Sequence, residues 1–116
     1  MSEFKLIVAG GRDFNNYELL SSSLHELDID GDISIVSGMA QGADALGYRF
    51  AKENNVVLYT FPANWNLHGK RAGFIRNEEM GRFADGLLAF WNGSKGTAHM
   101  INFMKMLNKP VHIISY

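Results

Sequence analysis

Apolar residues gather in short unbroken runs, and between these runs they recur at the three- and four-residue spacing of a helix face. The runs Phe4–Ala9, Asp32–Ser37, Val56–Thr60, Asp85–Trp91 and Val111–Ser115 are rich in Val, Ile, Leu and Phe and lack polar alternation. Such runs predict strands of a parallel sheet covered on both faces. The intervening segments predict four helices. The first spans about Asn16–Leu27, with Asp13 or Asn15 as its cap and Tyr17, Leu20, Leu24 and Leu27 on one stripe. The second, Ala43–Asn54, turns Ala43, Leu46, Phe50 and Ala51 inward and stops at Asn54-Asn55. The third, Ala72–Phe83, carries Phe74, Ile75, Met80 and Phe83 on its apolar side. The fourth, Thr97–Leu107, uses Ile101, Met104 and Leu107 before Asn108-Lys109-Pro110 ends it. Met100, Met104 and Met106 read as core filler.

Strands alternating with helices, joined by right-handed crossovers, give a Rossmann-like doubly wound α/β fold, a five-stranded parallel sheet of order 3-2-1-4-5 with helices on both faces. In that order the winding reverses between the first and fourth strands, where a crevice opens beyond the carboxyl ends. Three glycine-rich turns fall at strand ends: Gly10-Gly11-Arg12-Asp13, Ser37-Gly38-Met39-Ala40-Gln41-Gly42-Ala43-Asp44 and Asn92-Gly93-Ser94-Lys95-Gly96-Thr97. Glycine lets backbone approach an anion closely, and the first free amides of a following helix point at it. The first and third turns should flank the crevice, with the second beside them.

Within those turns each residue has two readings. Arg12 either reaches a phosphate through its planar fork, the reading favoured here, or pairs with a surface acid. Asp44 either caps its helix or accepts a hydrogen bond from a ribose hydroxyl. Ser94 and Thr97 offer hydroxyls and Gly96 an unhindered amide, so Gly93–Thr97 is the best phosphate cradle in the chain, with Lys95 adding charge. The connection Phe61–Lys70 is long for so small a domain. Its Trp65 either folds over the crevice to stack on a ring or plugs the edge of the core. Arg76 and Asn77, set among Phe74, Ile75 and Met80, are expected to face a polar pocket.

Length and composition narrow the rest. A chain of 116 residues reads as one domain that needs no staple, and the absence of cysteine excludes disulfides, thiolate metal sites and thiol nucleophiles. The histidines at 25, 68, 99 and 112 have no ligand spacing, so no metal is expected. The opening Met1-Ser2-Glu3-Phe4-Lys5 runs directly into a strand, and no apolar run approaches a membrane span, which places the protein in the cytoplasm away from membranes. A net charge of −1 offers a polyanion little attraction, so nucleic acid is not an expected partner. Lys70, Arg71, Arg76 and Arg82, with His68, form a local basic stretch that a solvated helix face would also explain.

These motifs carry a resemblance. Ser37-Gly38-Met39-Ala40-Gln41-Gly42-Ala43-Asp44 resembles the SG-x-A-x-G-x-D motif of the Smf/DprA Rossmann domain, and Phe74-Ile75-Arg76-Asn77 its F-x-RN segment. With Gly10–Phe14 and Gly93–Thr97, the pattern is similar over nearly the whole chain to the SLOG superfamily that joins Smf/DprA and LOG proteins. In size and wording it most resembles the small YspA-type SLOG family of bacteria and phages. The resemblance implies a binder of nucleotides or nucleotide-derived signals such as ADP-ribose, NAD-like molecules or nucleoside phosphates, in a sensing or sequestering role and without a separate cofactor. Taken with the readings above, the expected binding residues are Gly10, Gly11, Arg12, Asp13, Ser37, Gly38, Met39, Gly42, Asp44, Trp65, Arg76, Asn77, Gly93, Ser94, Lys95, Gly96 and Thr97. LOG members hydrolyse a nucleotide's N-glycosidic bond with a glutamate in a PGG-x-GT-x-x-E signature, but that position here is Met100. A thioether neither holds charge nor takes a proton, so the usual LOG mechanism is absent. The DprA branch handles single-stranded DNA, for which this chain lacks the basic surplus. Dimers common in the LOG branch leave a homo-oligomer open.

Overall fold

A computed structural model of the chain describes residues 3–29 and 31–116. Met1 and Ser2, where the reading of the N-terminus begins, lie outside the described residues, as does Asp30. The strands are β1 (Glu3–Gly10), β2 (Asp32–Ser37), β3 (Leu58–Thr60), β4 (Gly86–Trp91) and β5 (Val111–Ser115). The helices are α1 (Tyr17–Glu26), α2 (Ala43–Glu53), α3 (Trp65–His68), α4 (Ala72–Phe83) and α5 (Lys95–Met106). The five strands form one sheet of order β3-β2-β1-β4-β5, every neighbouring pair parallel. This is the Rossmann-like α/β order that the sequence predicts.

Successive side chains of a strand point to opposite faces, so each central strand feeds two cores. Leu6, Val8, Ile35, Leu88 and Phe90 pack under Leu20 and Leu24 of α1 and Ala43, Phe50 and Ala51 of α2. Ile7, Val36, Leu87 and Ala89 pack under Met80 of α4 and Met100, Ile101 and Met104 of α5. The chain therefore winds to one side of β1 through α1 and α2 and to the other through α4 and α5. The switch between β1 and β4 follows from that reversal.

Several expected boundaries shift for identifiable reasons. The cap of α1 is Asn16, whose side chain accepts from the Leu19 amide at 3.0 Å, and not Asp13 or Asn15. Asp13 is engaged elsewhere, by Tyr116 and Asn92. β3 starts at Leu58, two residues later than its apolar run. The fourth predicted helix starts at Lys95 and ends at Met106. Met106 is 65% exposed and is not core filler, unlike Met100 and Met104. Phe74 and Phe83 are also exposed, at 46% and 36%, although their spacing matches the apolar stripe. The connection Phe61–Lys70 contains the short helix α3, capped by Asn64, and leads into a 3-10 turn at Gly69–Arg71. No helix among the described residues is long and apolar enough to cross a membrane.

One lysine closes the carboxyl end of α4. Lys109 Nζ donates to the carbonyls of Gly81 at 2.8 Å, Arg82 at 3.2 Å and Ala84 at 2.7 Å. Helix ends leave such carbonyls without intrahelical donors, and a cation there also meets the negative end of the helix dipole. Lys109→Met is expected to lower stability by about 1–2 kcal/mol, read as a lower urea midpoint at unchanged slope.

Candidate functional site

At the carboxyl edge of β1 and β4 lies a hollow of about 490 Å³. Its wall combines the β1 loop from Gly10 to Asp13, Ala40 and Asp44, Trp65 and Lys70, Gly73, Phe74, Arg76 and Asn77 of α4, and Asn92, Ser94, Gly96, Thr97 and Met100. The crevice of the switch point and the hollow are thus the same place.

The β1 loop is held from both sides. The Gly11 amide donates to the Phe90 carbonyl at 3.1 Å, and Phe14 stacks on the Phe90 ring with centroids 4.5 Å apart. A side chain at Gly11 would put its Cβ 1.8 Å from the Tyr116 hydroxyl. Any side chain here would have to displace the hydroxyl of a residue at the far end of the chain. That hydroxyl donates to Asp13 Oδ1 at 2.5 Å, and Asn92 Nδ2 donates to Asp13 Oδ2 at 3.2 Å. Tyr116 keeps its proton up to about 12, through burial of the phenol first and its bond to Asp13 second. The same bond holds the Asp13 carboxyl below its ordinary range. The end of β5, the β1 loop and the β4 loop are therefore tied together at one rim.

The second glycine turn has a different character. Three of its amides are taken by the protein itself: Met39 N–H donates to Ser37 Oγ at 3.2 Å, Ala40 N–H to Asp44 Oδ2 at 3.3 Å, and Ala43 N–H to the Gly11 carbonyl at 3.3 Å. Ser37 Oγ in turn donates to the Asp44 carbonyl at 3.0 Å. Gly42 adopts a φ of +78° with its Cα against Gly11 and Arg12, where any Cβ would lie 2.2 Å from the Gly11 carbonyl oxygen. Ser37, Gly38, Met39 and Gly42 consequently shape and brace the loop and do not line the hollow.

Asp44 is the buried charge of the site, 5% exposed in the first turn of α2. Burial raises its carboxyl to about 6, against the opposing pull of Arg76, the Ala40 amide and Arg12. Arg76 reaches across from α4: Nη1 donates to the Gly38 carbonyl and Nε to Asn77 Oδ1 at 3.0 Å. Burial lowers the Arg76 guanidinium from its ordinary value, Asp44 pulls the other way, and Arg12 adds repulsion. Asn77 Nδ2 donates to the Gly96 carbonyl at 3.2 Å and lies 3.3 Å from His99 Nδ1. Its amide is fully engaged, so Asn77 acts as a strut that fixes Arg76 against the start of α5.

α5 opens into the hollow. Ser94 is its N-cap residue, yet its side chain caps nothing, and Ser94 Oγ is buried with no hydrogen-bond partner among the described residues. The Ser94 carbonyl is fixed by Trp91 Nε1 at 2.9 Å and the Ala98 amide at 3.1 Å. The first-turn amides that follow have no intrahelical carbonyl to bond and carry the positive end of the helix dipole. Gly96 and Thr97 line the hollow there, while Gly93 and Lys95 do not. Met100 stands buried in the same wall.

Eleven expected residues come together: Gly10, Gly11, Arg12, Asp13, Asp44, Trp65, Arg76, Asn77, Ser94, Gly96 and Thr97. Of the basic stretch, Lys70 and Arg76 line the hollow, whereas Arg82 pairs with Glu78 at 3.6 Å on the surface. Ala40, Lys70, Gly73, Phe74, Asn92 and Met100 join the wall without having been singled out as binding residues. Of these, Phe74 and Lys70 gave a usable signal, Phe74 as the aromatic that opens the F-x-RN segment and Lys70 as the cation that ends the long connection.

Comparison with known proteins agrees with this picture. The chain is 33% identical over 118 residues to the gene 61 protein of Mycobacterium phage D29, covering 92% of this chain and 93% of that protein. Residues 4–68, which hold the first two glycine turns and the start of the long connection, match the family described as YspA, cpYpsA-related SLOG. With more than half its length matched and a relative similar almost end to end, the chain belongs to the YspA, cpYpsA-related SLOG family.

Proposed function

We propose that the hollow binds a nucleotide or nucleotide-derived anion, of the nucleoside phosphate, ADP-ribose or NAD kind, in a sensing or sequestering role. The observation that carries this reading is the meeting of Arg12, Arg76 and the amino end of α5 on one hollow, where Ser94 Oγ is buried and unpartnered. Such a hydroxyl beside free helix amides is completed by an anion, which supplies acceptors to both. In this reading the phosphate rests on Ser94, Gly96 and Thr97, with Arg12 and Arg76 adding charge and Asp44 facing the ribose side. Membership of the SLOG family supports a nucleotide-related ligand.

The reading is tested by thermal denaturation with AMP, ADP-ribose and NAD. A ligand at a hundred times its dissociation constant is expected to add about 2.7 kcal/mol, a rise of roughly 10 °C. No shift with any of them at millimolar concentration overturns the reading.

Hydrolysis of the N-glycosidic bond is the alternative, and it would have to run on Asp44. Met100 carries no charge, and Asp13 is tied by Tyr116 and Asn92. The rise of the Asp44 carboxyl to about 6, nearer neutrality than an ordinary aspartate, is the feature that favours it. Chromatographic detection of free base from a nucleoside monophosphate, lost in Asp44→Asn, would establish turnover; its absence leaves binding alone.

A further inference from the structure

Arg12 on the β1 loop and Arg76 on α4 bring two cations to one hollow. The Arg12 charge favours the ionised Asp44 carboxyl and disfavours the charged Arg76 guanidinium, so it stands near both. Like charges repel, and an exposed arginine on a glycine-rich loop relieves that by swinging into water unless the loop is held. Arg76 is held by Gly38 and Asn77. For Arg12 the restraint lies in the backbone on either side of it. Before it, the Gly11 carbonyl accepts from the Phe14 amide at 3.2 Å and the Ala43 amide at 3.3 Å. At Arg12 itself the backbone lies against Gly42, where a Cβ would come 2.7 Å from the Arg12 Cα. After it, Asp13 has both carboxylate oxygens engaged, Oδ1 by the Tyr116 hydroxyl and Oδ2 by Asn92 Nδ2. The Tyr116 ring is seated in turn, edge-on to the buried Phe14 ring with centroids 4.9 Å apart.

Asp13 lines the hollow beside Arg12, and a free carboxylate there would compete with a ligand for the guanidinium. Hydrogen bonds to an ionised carboxylate are short and directional, so donors on both oxygens fix where Asp13 points and where the backbone next to it runs. Tyr116 does not line the hollow and reaches it only through Asp13. From this we infer that Tyr116 is a positioning residue for anion binding: together with Asn92 it clasps Asp13, and the clasp keeps Arg12 over the hollow against the repulsion of Arg76. The inference rests on the anion reading above. It ties the end of the β5 segment, where no binding residue was expected, to the affinity of a site built from β1, α4 and α5.

The full chain and its variants are titrated with sulfate by calorimetry at fixed pH and ionic strength, and melting temperatures are read on the unliganded proteins. Tyr116→Phe removes only the hydroxyl and is expected to weaken sulfate about fivefold. Arg12→Ala should weaken it about tenfold. The double variant should be no more than about twofold weaker than Arg12→Ala, because the clasp then has no guanidinium left to place. Stability should behave differently: Tyr116→Phe should lower the melting temperature by the same few degrees with Arg12 present or absent, since the bond to Asp13 is made either way. Lys109→Met, which loosens the carboxyl end of α4 and leaves the rim intact, should lower the melting temperature without changing sulfate affinity. Losses that multiply in the double variant overturn the positioning role and leave the anion site standing, as does a Tyr116→Phe variant that binds sulfate like wild type. Failure of the wild type to bind either sulfate or AMP overturns the anion reading itself, and the inference with it.

Discussion

Arg76→Ala is expected to weaken sulfate and AMP binding by about 100-fold, the largest loss of any single substitution in the hollow. Hydrogen bonds to a charged group contribute about 1.5–3 kcal/mol, and a partly dry site screens them little. Arg76 is placed for this by two of its own nitrogens: Nη1 is committed to Gly38 and Nε to Asn77, which leaves Nη2 beside Gly73 in the wall of the hollow. Lysine has neither the second nor the third nitrogen, and Arg76→Lys should recover less than tenfold of the loss. Arg71→Ala, an exposed cation in the turn before α4 that does not line the hollow, should change affinity by less than about twofold at fixed ionic strength. Calorimetry on the three variants decides the matter: equal losses for Arg76 and Arg71 would mean a diffuse field in place of a site. Arg76→Ala should also destabilise the unliganded protein, since Asp44 loses the positive charge that most favours its ionised form.

What the sequence disclosed and what it concealed divide along a physical line. Sheet order was legible because Leu6–Val8, Ile35–Val36 and Leu87–Phe90 are apolar on both faces, which only a parallel sheet between helix layers accommodates. The crevice followed from that order, as did the meeting of the β1 and β4 loops. Contacts between distant residues were not legible. Nothing in Gly10-Gly11-Arg12-Asp13 announces that the Tyr116 hydroxyl lies over Gly11, in the space a side chain there would take. The Gly38–Gly42 turn has the wording of an anion cradle, yet Ser37 and Asp44 take its Met39 and Ala40 amides, and that depends on side-chain direction and not on spacing. Phe74 falls on the apolar stripe of its helix, and periodicity cannot tell a core from the mouth of a hollow. The four-residue helix α3 is too short to show a period at all.

Asp44 should make both stability and anion binding depend on pH, in a direction fixed by its environment. The carboxyl stands at about 6 in the folded protein against 3.8 ordinarily, because burial disfavours the charged form more than Arg76, the Ala40 amide and Arg12 favour it. Below about pH 4 it is protonated in folded and unfolded chains alike, so nothing is lost. Between about pH 4 and 6 the unfolded chain releases its proton first, and the folded state loses stability as pH rises. The full difference is about 3 kcal/mol, complete above roughly pH 7. Asp44→Asn removes this dependence while keeping an oxygen for the Ala40 amide. Relative to wild type the variant should therefore gain about 3 kcal/mol between pH 4 and pH 7.5 in urea titrations, and parallel profiles would contradict the assignment. The same carboxylate lies in the wall that receives the ligand, so an incoming anion should draw a proton onto it. Sulfate is the appropriate probe, since a phosphate monoester itself titrates near pH 6. Wild type should bind sulfate about tenfold more weakly at pH 7.5 than at pH 5.5 and take up protons on binding, measured by calorimetry in buffers of different ionisation enthalpy. Asp44→Asn should bind it equally at both. His99→Gln serves as the control, because the His99 imidazole lies 3.3 Å from Asn77; if that variant flattens the profile and Asp44→Asn does not, the coupling belongs to the imidazole.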